Sequence, residues 1–284
     1  MAELLKGKAV AEAIARRNID DIAMLKEKGI IPTLALFRVG EKDDDLSYER
    51  GIDKRSATVG IEVKKYLFPE DVEEKTLYDA LKEAGEDPLI HGILVMRPLP
   101  KRFDDRKLKE HIDPAKDVDG CTDLSLAGVF TNSETGFAPC TARAAMEILD
   151  HYGIDPSGKR AVVLGRSLVI GRPVAMLLMH RNATVTICHT KTENIEEIAS
   201  MADILICATG KMESIGKNYV KADQTVIDVG IAYNDKKGKL CGDVLFEEVE
   251  PLVGKITPVP GGVGSVTTAV LVGNVVEAAK RSCR

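Results

Sequence analysis

The sequence predicts an α/β protein of two domains, a βα-layered first half and a more regular doubly wound second half. Three observations carry that expectation. Short apolar runs alternate with segments of helical periodicity, which implies parallel sheets covered on both faces. A stretch rich in Gly, Ser and Thr, 120–139, interrupts the alternation near the middle. The chain has 284 residues, a length at which roughly 75% of the unfolded surface can be buried and single cores begin to split.

Taken in order, residues 8–28 carry Val10, Ile14, Ile22 and Leu25 near helical spacing, and Gly29 stops the helix. The run 33–39 follows a proline and precedes Gly40, so it reads as a strand. A helix over 47–59, a strand over 61–68 and a helix over 72–84 come next. A buried strand over 90–95 then closes at Arg97-Pro98-Leu99-Pro100. The weakly periodic 120–139 reads as a segment crossing between domains. Thr141 caps a helix to residue 152 that connects the halves. Beyond it, strands at 160–164, 183–189, 203–207 and 225–229 alternate with helices at 171–180 and 193–201, and a last helix covers 265–280.

Composition narrows the function. Lys+Arg number 39 and Asp+Glu 44, a net charge of -5, which argues against the clustered positive footprint of a nucleic-acid binder. Aromatics are 4% with no Trp, which argues against a base-stacking platform. Cys121, Cys140, Cys188, Cys207, Cys241 and Cys283 form no C-x-x-C pair, so no zinc or redox motif is expected. Neither a signal-peptide pattern nor an uncharged apolar stretch of spanning length is found. The expected setting is reduced and cytoplasmic, without a membrane partner.

Three motifs carry chemistry. Val162-Val163-Leu164 runs into Gly165-Arg166-Ser167 and then Gly171-Arg172-Pro173. Gly165 permits a tight turn, and Gly171 opens a helix whose N-terminal amides attract phosphate. A plain strand–helix turn is the alternative, and the doubly wound surroundings favour nucleotide binding. The next strand ends Cys188-His189-Thr190-Lys191-Thr192, with no acid before Glu193. An acid there would meet a free ribose 2′-hydroxyl; hydroxyls, Lys191 and Arg166 instead suit a 2′-phosphate, so NADP is expected over NAD. The second motif, Pro258-Val259-Pro260-Gly261-Gly262-Val263-Gly264, sets three glycines within four residues and lets a flat ligand approach the main chain. In the third, Lys116-Asp117-Val118-Asp119-Gly120, two carboxylates could bind an amino-pyrimidine edge or cap a turn.

These motifs occur in a set order along nearly the whole chain. Val39-Gly40 and Tyr48 precede Gly92-Ile93-Leu94-Val95 and Pro98-Leu99-Pro100. Asp117-Val118-Asp119-Gly120, Pro139-Cys140-Thr141 and Gly165-Arg166-Ser167 follow, then Asp228-Val229-Gly230-Ile231 and Pro258 to Gly264. The order resembles the FolD family, methylenetetrahydrofolate dehydrogenase/methenyltetrahydrofolate cyclohydrolase of one-carbon metabolism. The resemblance implies a homodimer with tetrahydrofolate as substrate. It implies a folate/catalytic domain over 1–140 plus 266–284, a Rossmann-like NADP-binding domain over 141–265, and a cleft between. Tyr48 would stack on the folate ring system and Asp119 would hydrogen-bond its pterin-like edge, the two catalytic assignments. Ile52, Val95, Met96, Arg97, Pro260, Gly261, Gly262, Val263 and Gly264 would line the folate site. Gly165, Arg166, Ser167, Thr190 and Ile231 would contact the dinucleotide.

The departures matter as much. The family places a lysine four residues after the tyrosine and a glutamine after the Gly-Ile-Leu-Val strand; this chain has Ile52 and Met96. Asp43-Asp44-Asp45 replaces the Pro-Ala-Ser usual before the tyrosine, and Ala142 and Ser265 stand at common proline positions. At about 100° per residue Ile52 lies roughly 40° from Tyr48, whereas Lys54 lies roughly 240° around and faces away. Arg55 returns to the Tyr48 face, but a guanidinium is a poor general base. Hydride loss from a carbon between two nitrogens needs positioning; hydrolysis of the resulting cation needs a group that moves a proton. The expectation is a dehydrogenase whose cyclohydrolase activity is weak or absent. Rival readings are a bifunctional enzyme using Arg55, Asp45 or Asp53 with ordered water, and a silent NADP- or folate-binding module.

Overall fold

The computed structural model describes residues 1–283, and the chain divides into two compact units. In chain order the first half holds β1 (Glu3–Leu4), α1 (Gly7–Glu27), β2 (Thr33–Val39), α2 (Asp43–Val59), β3 (Glu62–Phe68), α3 (Glu74–Glu86), β4 (Gly92–Val95), α4 (Asp105–Glu110), α5 (Asp123–Thr131) and α6 (Cys140–His151). The second half holds β5 (Arg160–Leu164), α7 (Gly171–His180), β6 (Thr184–Cys188), α8 (Ile195–Ser200), β7 (Ile204–Cys207), β8 (Thr225–Asp228), β9 (Ala232–Asn234), β10 (Lys239–Cys241), α9 (Phe246–Val249), β11 (Lys255–Ile256) and α10 (Val263–Arg281).

The first unit comprises Ala13–Cys140 and the chain from Thr268 onward. Its sheet is parallel and three-stranded, with β2 between β3 and β4. Leu34, Ala35, Leu36 and Phe37 of β2 are fully buried, as a continuous apolar run in a central parallel strand should be. The edge strand β3 never buries a residue fully. Leu77, Leu81 and Ala84, spaced along one face of α3, pack on Phe37, Ile93 and Val95; full burial of each leucine contributes about 1.5–3 kcal/mol. Beside β4, Ile93 bridges Asp117 in parallel, so the 116–119 segment runs alongside the strand. The later turns of α10 belong here too: the Asn274 amide donates to Val118 O at 2.7 Å, and Lys280 pairs with Asp21 at 3.1 Å.

The second unit comprises Met1–Glu12 and Thr141–Thr267. Its six-stranded sheet has the order β1-β11-β8-β7-β5-β6, with every neighbouring pair parallel. Leu164 lies opposite Cys188 and Cys207, and Cys207 opposite Asp228. Four strands therefore end level, and four loops leave from one edge. Cys188 and Cys207 are fully buried, as their apolar runs implied.

Several elements differ from the sequence reading. Residues 1–12 cluster with the second unit, because β1 pairs with β11 (Glu3 to Lys255, Leu4 to Ile256); a two-residue strand leaves no periodicity to read. The helix expected from residue 47 begins at Asp43, since Asp43, Asp44 and Asp45 in its first turn favour the positive end of the helix dipole. The expected crossing segment contains α5, whose N-cap Thr122 accepts from the Ser125 N–H at 3.2 Å and whose C-cap Asn132 is left-handed. No helix of the described residues is long and apolar enough to cross a membrane.

Candidate active site

In the second unit, β5 delivers its chain end into a turn that only glycine can make. Gly165 has φ +125, and a Cβ there would collide with the Ala208 carbonyl oxygen. Ser167 Oγ then accepts from the N–H groups of Ile170 (3.1 Å) and Gly171 (3.4 Å), shaping the entry to α7. Because β6 and β7 flank β5 on opposite sides, the strand order reverses there, and such switch points open a crevice at the carboxyl ends of the strands. A cleft of about 440 Å³ occupies that place, lined by Gly165, Arg166, Ser167, Thr190 and Thr209 among others. Its size suits a cofactor. Arg166 is exposed and forms no ion pair among the described residues, which leaves its guanidinium for an anion. Four of the five expected cofactor contacts thus meet at one groove.

The fifth does not. Ile231 is 60% exposed, does not line the groove, and stands beside Gly264, 3.9 Å from where a Cβ would be. Lys191 is exposed and also off the groove, whereas Lys211 lines it. The sequence signal for Lys211 was available: Thr209-Gly210-Lys211 follows a buried strand, as Gly165-Arg166 does. The loop is braced from below. Asp243 Oδ2 accepts from the N–H groups of Thr209 (2.6 Å) and Gly210 (3.0 Å). Asp228 accepts from those of Gly230, Asp243 and Val244, each at 3.0 Å. Burial pushes the Asp228 carboxyl up to about 6, against these three bonds, and the Asp243 charge adds to the rise.

The three glycines of the 260–264 segment divide. Gly261 has φ +102, and a Cβ on Gly262 would meet Pro258 O and Thr257 Cβ, so both are needed by the backbone. Gly264 has no steric obligation. Pro260, Gly261, Gly262, Val263 and Gly264 all belong to the second unit.

In the first unit, Tyr48 on α2 makes a side-chain hydrogen bond with Thr268, beside Cys140 and Asp119. Burial pushes its phenol up, and the nearby Cys140 and Asp119 add to the rise. Asp119 follows Asp117 and Val118 along β4, and Arg97 at the end of that strand donates from Nη2 to its Oδ2 at 3.1 Å. Burial raises the Asp119 carboxyl and Arg97 opposes the rise. The other carboxylate of the motif does the bland task. Asp117, 1% exposed, accepts from the N–H groups of Cys121 and Thr122 and from the Thr122 and Ser125 hydroxyls, and so anchors the start of α5.

Ile52, Val95 and Met96 are buried at 0%, 5% and 4% exposure. The buried residues of α2 include one charged group, Glu49. Its carboxylate accepts from Arg38 Nε and Lys65 Nζ, each at 2.8 Å, and Lys65 also bonds Asp53 at 2.7 Å. Burial pushes the Glu49 carboxyl up, but these partners outweigh it and hold it below its ordinary value. Lys54 is exposed, as the helix geometry required. A cavity of about 820 Å³ in this unit opens around Thr33, Glu62 and His91 at the other end of the sheet, and none of the expected residues lines it. Among the described residues no group of three or more His, Cys, Asp or Glu could hold a metal.

Comparison with known proteins agrees with this geometry. Residues 5–119 match the family model described as tetrahydrofolate dehydrogenase/cyclohydrolase, catalytic domain, and residues 139–283 match that of its NAD(P)-binding domain. The Carboxydothermus hydrogenoformans protein named "Bifunctional protein FolD" is 50% identical over 279 residues, covering 98% of this chain and 97% of its own. The crystal structure of the Campylobacter jejuni bifunctional enzyme FolD superposes with TM-score 0.95 at 37% identity over 99% of both chains. The Trypanosoma brucei dehydrogenase-cyclohydrolase, complexed with NADP and an inhibitor, superposes with TM-score 0.93 at 34% identity over 100% of this chain and 99% of that one. With both of its halves matched and its dinucleotide groove and carboxylate site in place, this chain belongs to the tetrahydrofolate dehydrogenase/cyclohydrolase family.

Proposed function

We propose that the chain oxidises 5,10-methylenetetrahydrofolate to the 5,10-methenyl compound and hydrolyses that product weakly or not at all. One observation supports the reading: α2 brings Tyr48 to Asp119 and, one turn later, carries a fully buried Ile52, at the position for which the family resemblance implies a titrating lysine. NADP, when bound, supplies the hydride acceptor. Gly165, Arg166, Ser167 and Thr190 would hold it, with Arg166 on the 2′-phosphate. Tyr48 and Asp119 hold and orient the folate ring, an effect of proximity. The methylene carbon lies between two nitrogens whose lone pairs stabilise the cation formed, so no protein group has to take a proton.

Attack by water does release a proton, and general acid–base help in such a step is typically worth about 10²–10⁴-fold. Ile52 and Met96 cannot titrate, and Glu49 is committed to Arg38 and Lys65. The names of the relatives support the second reading, an enzyme with both activities. A stopped assay with methylenetetrahydrofolate and NADP separates the two: methenyl-folate accumulates ahead of formyl-folate if the proposal holds. Ile52→Lys with Met96→Gln should raise methenyl hydrolysis by about 10² or more. Formyl-folate keeping pace with NADPH in the unaltered protein, or a double variant that adds nothing, refutes the split.

A further inference from the structure

We propose that Arg97 is a positioning residue for the dehydrogenase reaction, holding the Asp119 carboxylate oriented and ionised to receive N–H groups of the folate ring. The inference rests on the reading of Asp119 as the acceptor for that ring. The fold makes the pairing unavoidable. Ile93 bridges Asp117 in parallel, so Val95 at the end of β4 runs beside Asp119, and Arg97, two residues past the strand, reaches that carboxylate. Its Nη2 is 3.1 Å from Asp119 Oδ2, and its Nη1 lies 3.7 Å from Asp105 Oδ1 in the first turn of α4. Asp105 is itself held by Lys109 at 2.6 Å. The guanidinium is braced from two sides, and its single bond to Oδ2 leaves the carboxylate room for a ligand beside the Cys140 thiol.

Arg97 is the positive group facing Asp119, where the Asp117 charge opposes ionisation and a hydrogen bond from the Cys140 thiol favours it. The Tyr48 phenol of α2 and the Cys121 thiol of its own loop also face it, and neither brings a positive charge. The Cys140 thiol bonds the carboxylate but brings no positive charge. Burial penalises the ion as well. A neutral carboxyl would turn an O–H toward a ring edge made of donors, which loses acceptor capacity where it is needed. A guanidinium stays protonated at any working pH, so the brace itself does not titrate.

The test is the pH dependence of kcat/KM for methylenetetrahydrofolate in the full-length protein with NADP. Arg97→Leu should lose about tenfold or more near neutral pH, through KM, and recover as pH rises and Asp119 ionises, roughly tenfold per pH unit below its new midpoint. Arg97→Lys should restore the unaltered profile. Arg97→Gln keeps a donor without charge and should show the same alkaline limb, which covers a leucine variant that does not fold. NADP binding should be unchanged in all three. A variant profile parallel to that of the unaltered protein overturns the proposal. Carbon-13 titration of the Asp119 carboxyl reads the brace without any folate: a midpoint that does not move in Arg97→Leu overturns it again. Asp119→Asn with unchanged KM overturns instead the folate assignment on which the proposal stands.

Discussion

Asp228 offers a prediction whose size follows from its surroundings. Its carboxyl is 3% exposed and pushed up to about 6 from an ordinary 3.8, a rise of about 2 pH units, or about 3 kcal/mol at 1.36 kcal/mol per unit. A folded-state value above the unfolded one means that the folded chain binds the proton more tightly. Stability from this group is therefore fully present below about pH 4 and is lost as pH rises through about 6. Asp228→Asn removes the titration. It also turns an amide NH₂ toward one of three backbone N–H donors, at a pH-independent cost of about 1–3 kcal/mol. The level of stability is thus not diagnostic, but its slope is. Urea denaturation followed by circular dichroism at pH 4, 5, 6 and 7 should show the original protein losing about 2–3 kcal/mol relative to Asp228→Asn over that range. A difference between the two proteins that stays constant with pH refutes the reasoning.

Three other substitutions probe the two units. Gly165→Ala should cost about 2 kcal/mol or more, because φ +125 and the Ala208 carbonyl both reject a Cβ; thermal melting with and without NADP checks it, and an unshifted Tm contradicts it. Arg166→Ser should raise KM for NADP about tenfold and leave KM for NAD unchanged, since only NADP presents the extra phosphate; equal changes remove Arg166 from that role. Glu49→Gln should destabilise by about 3 kcal/mol at neutral pH, because it leaves Arg38, 5% exposed, without its carboxylate. The Glu49 carboxyl lies below its ordinary value, so its contribution is present at neutral pH and lost as pH falls through the acid range. Unfolding free energies within about 0.5 kcal/mol of each other would contradict this.

The elements legible in the chain were those whose residues all experience one environment. The strand 160–164 is almost continuously apolar because both faces of a parallel sheet are covered, and Leu77, Leu81 and Ala84 repeat at helical spacing because one face of α3 is buried. Short or polar elements escaped. α5 hides in a Ser- and Gly-rich stretch, and the hairpin of β9 and β10 spans three residues per strand. The groove residues Gly165, Arg166, Ser167 and Thr190 were readable because each lies at the end of a recognisable strand. Lys211 is equally placed, four residues past the end of β7.

Residue order and type alone determined the α/β class, the dinucleotide turn and the absence of a titrating side chain at positions 52 and 96, since each is a property of a single short segment. Tertiary structure alone separated Asp117, spent on anchoring a helix, from Asp119, held by Arg97. It alone joined the buried Arg38 and Glu49 to the exposed Lys65 in one network. The reason is range: a charge's partner and its loss of water depend on side chains from other elements, 11, 16 or 22 residues away in these pairs, and no local pattern encodes those meetings.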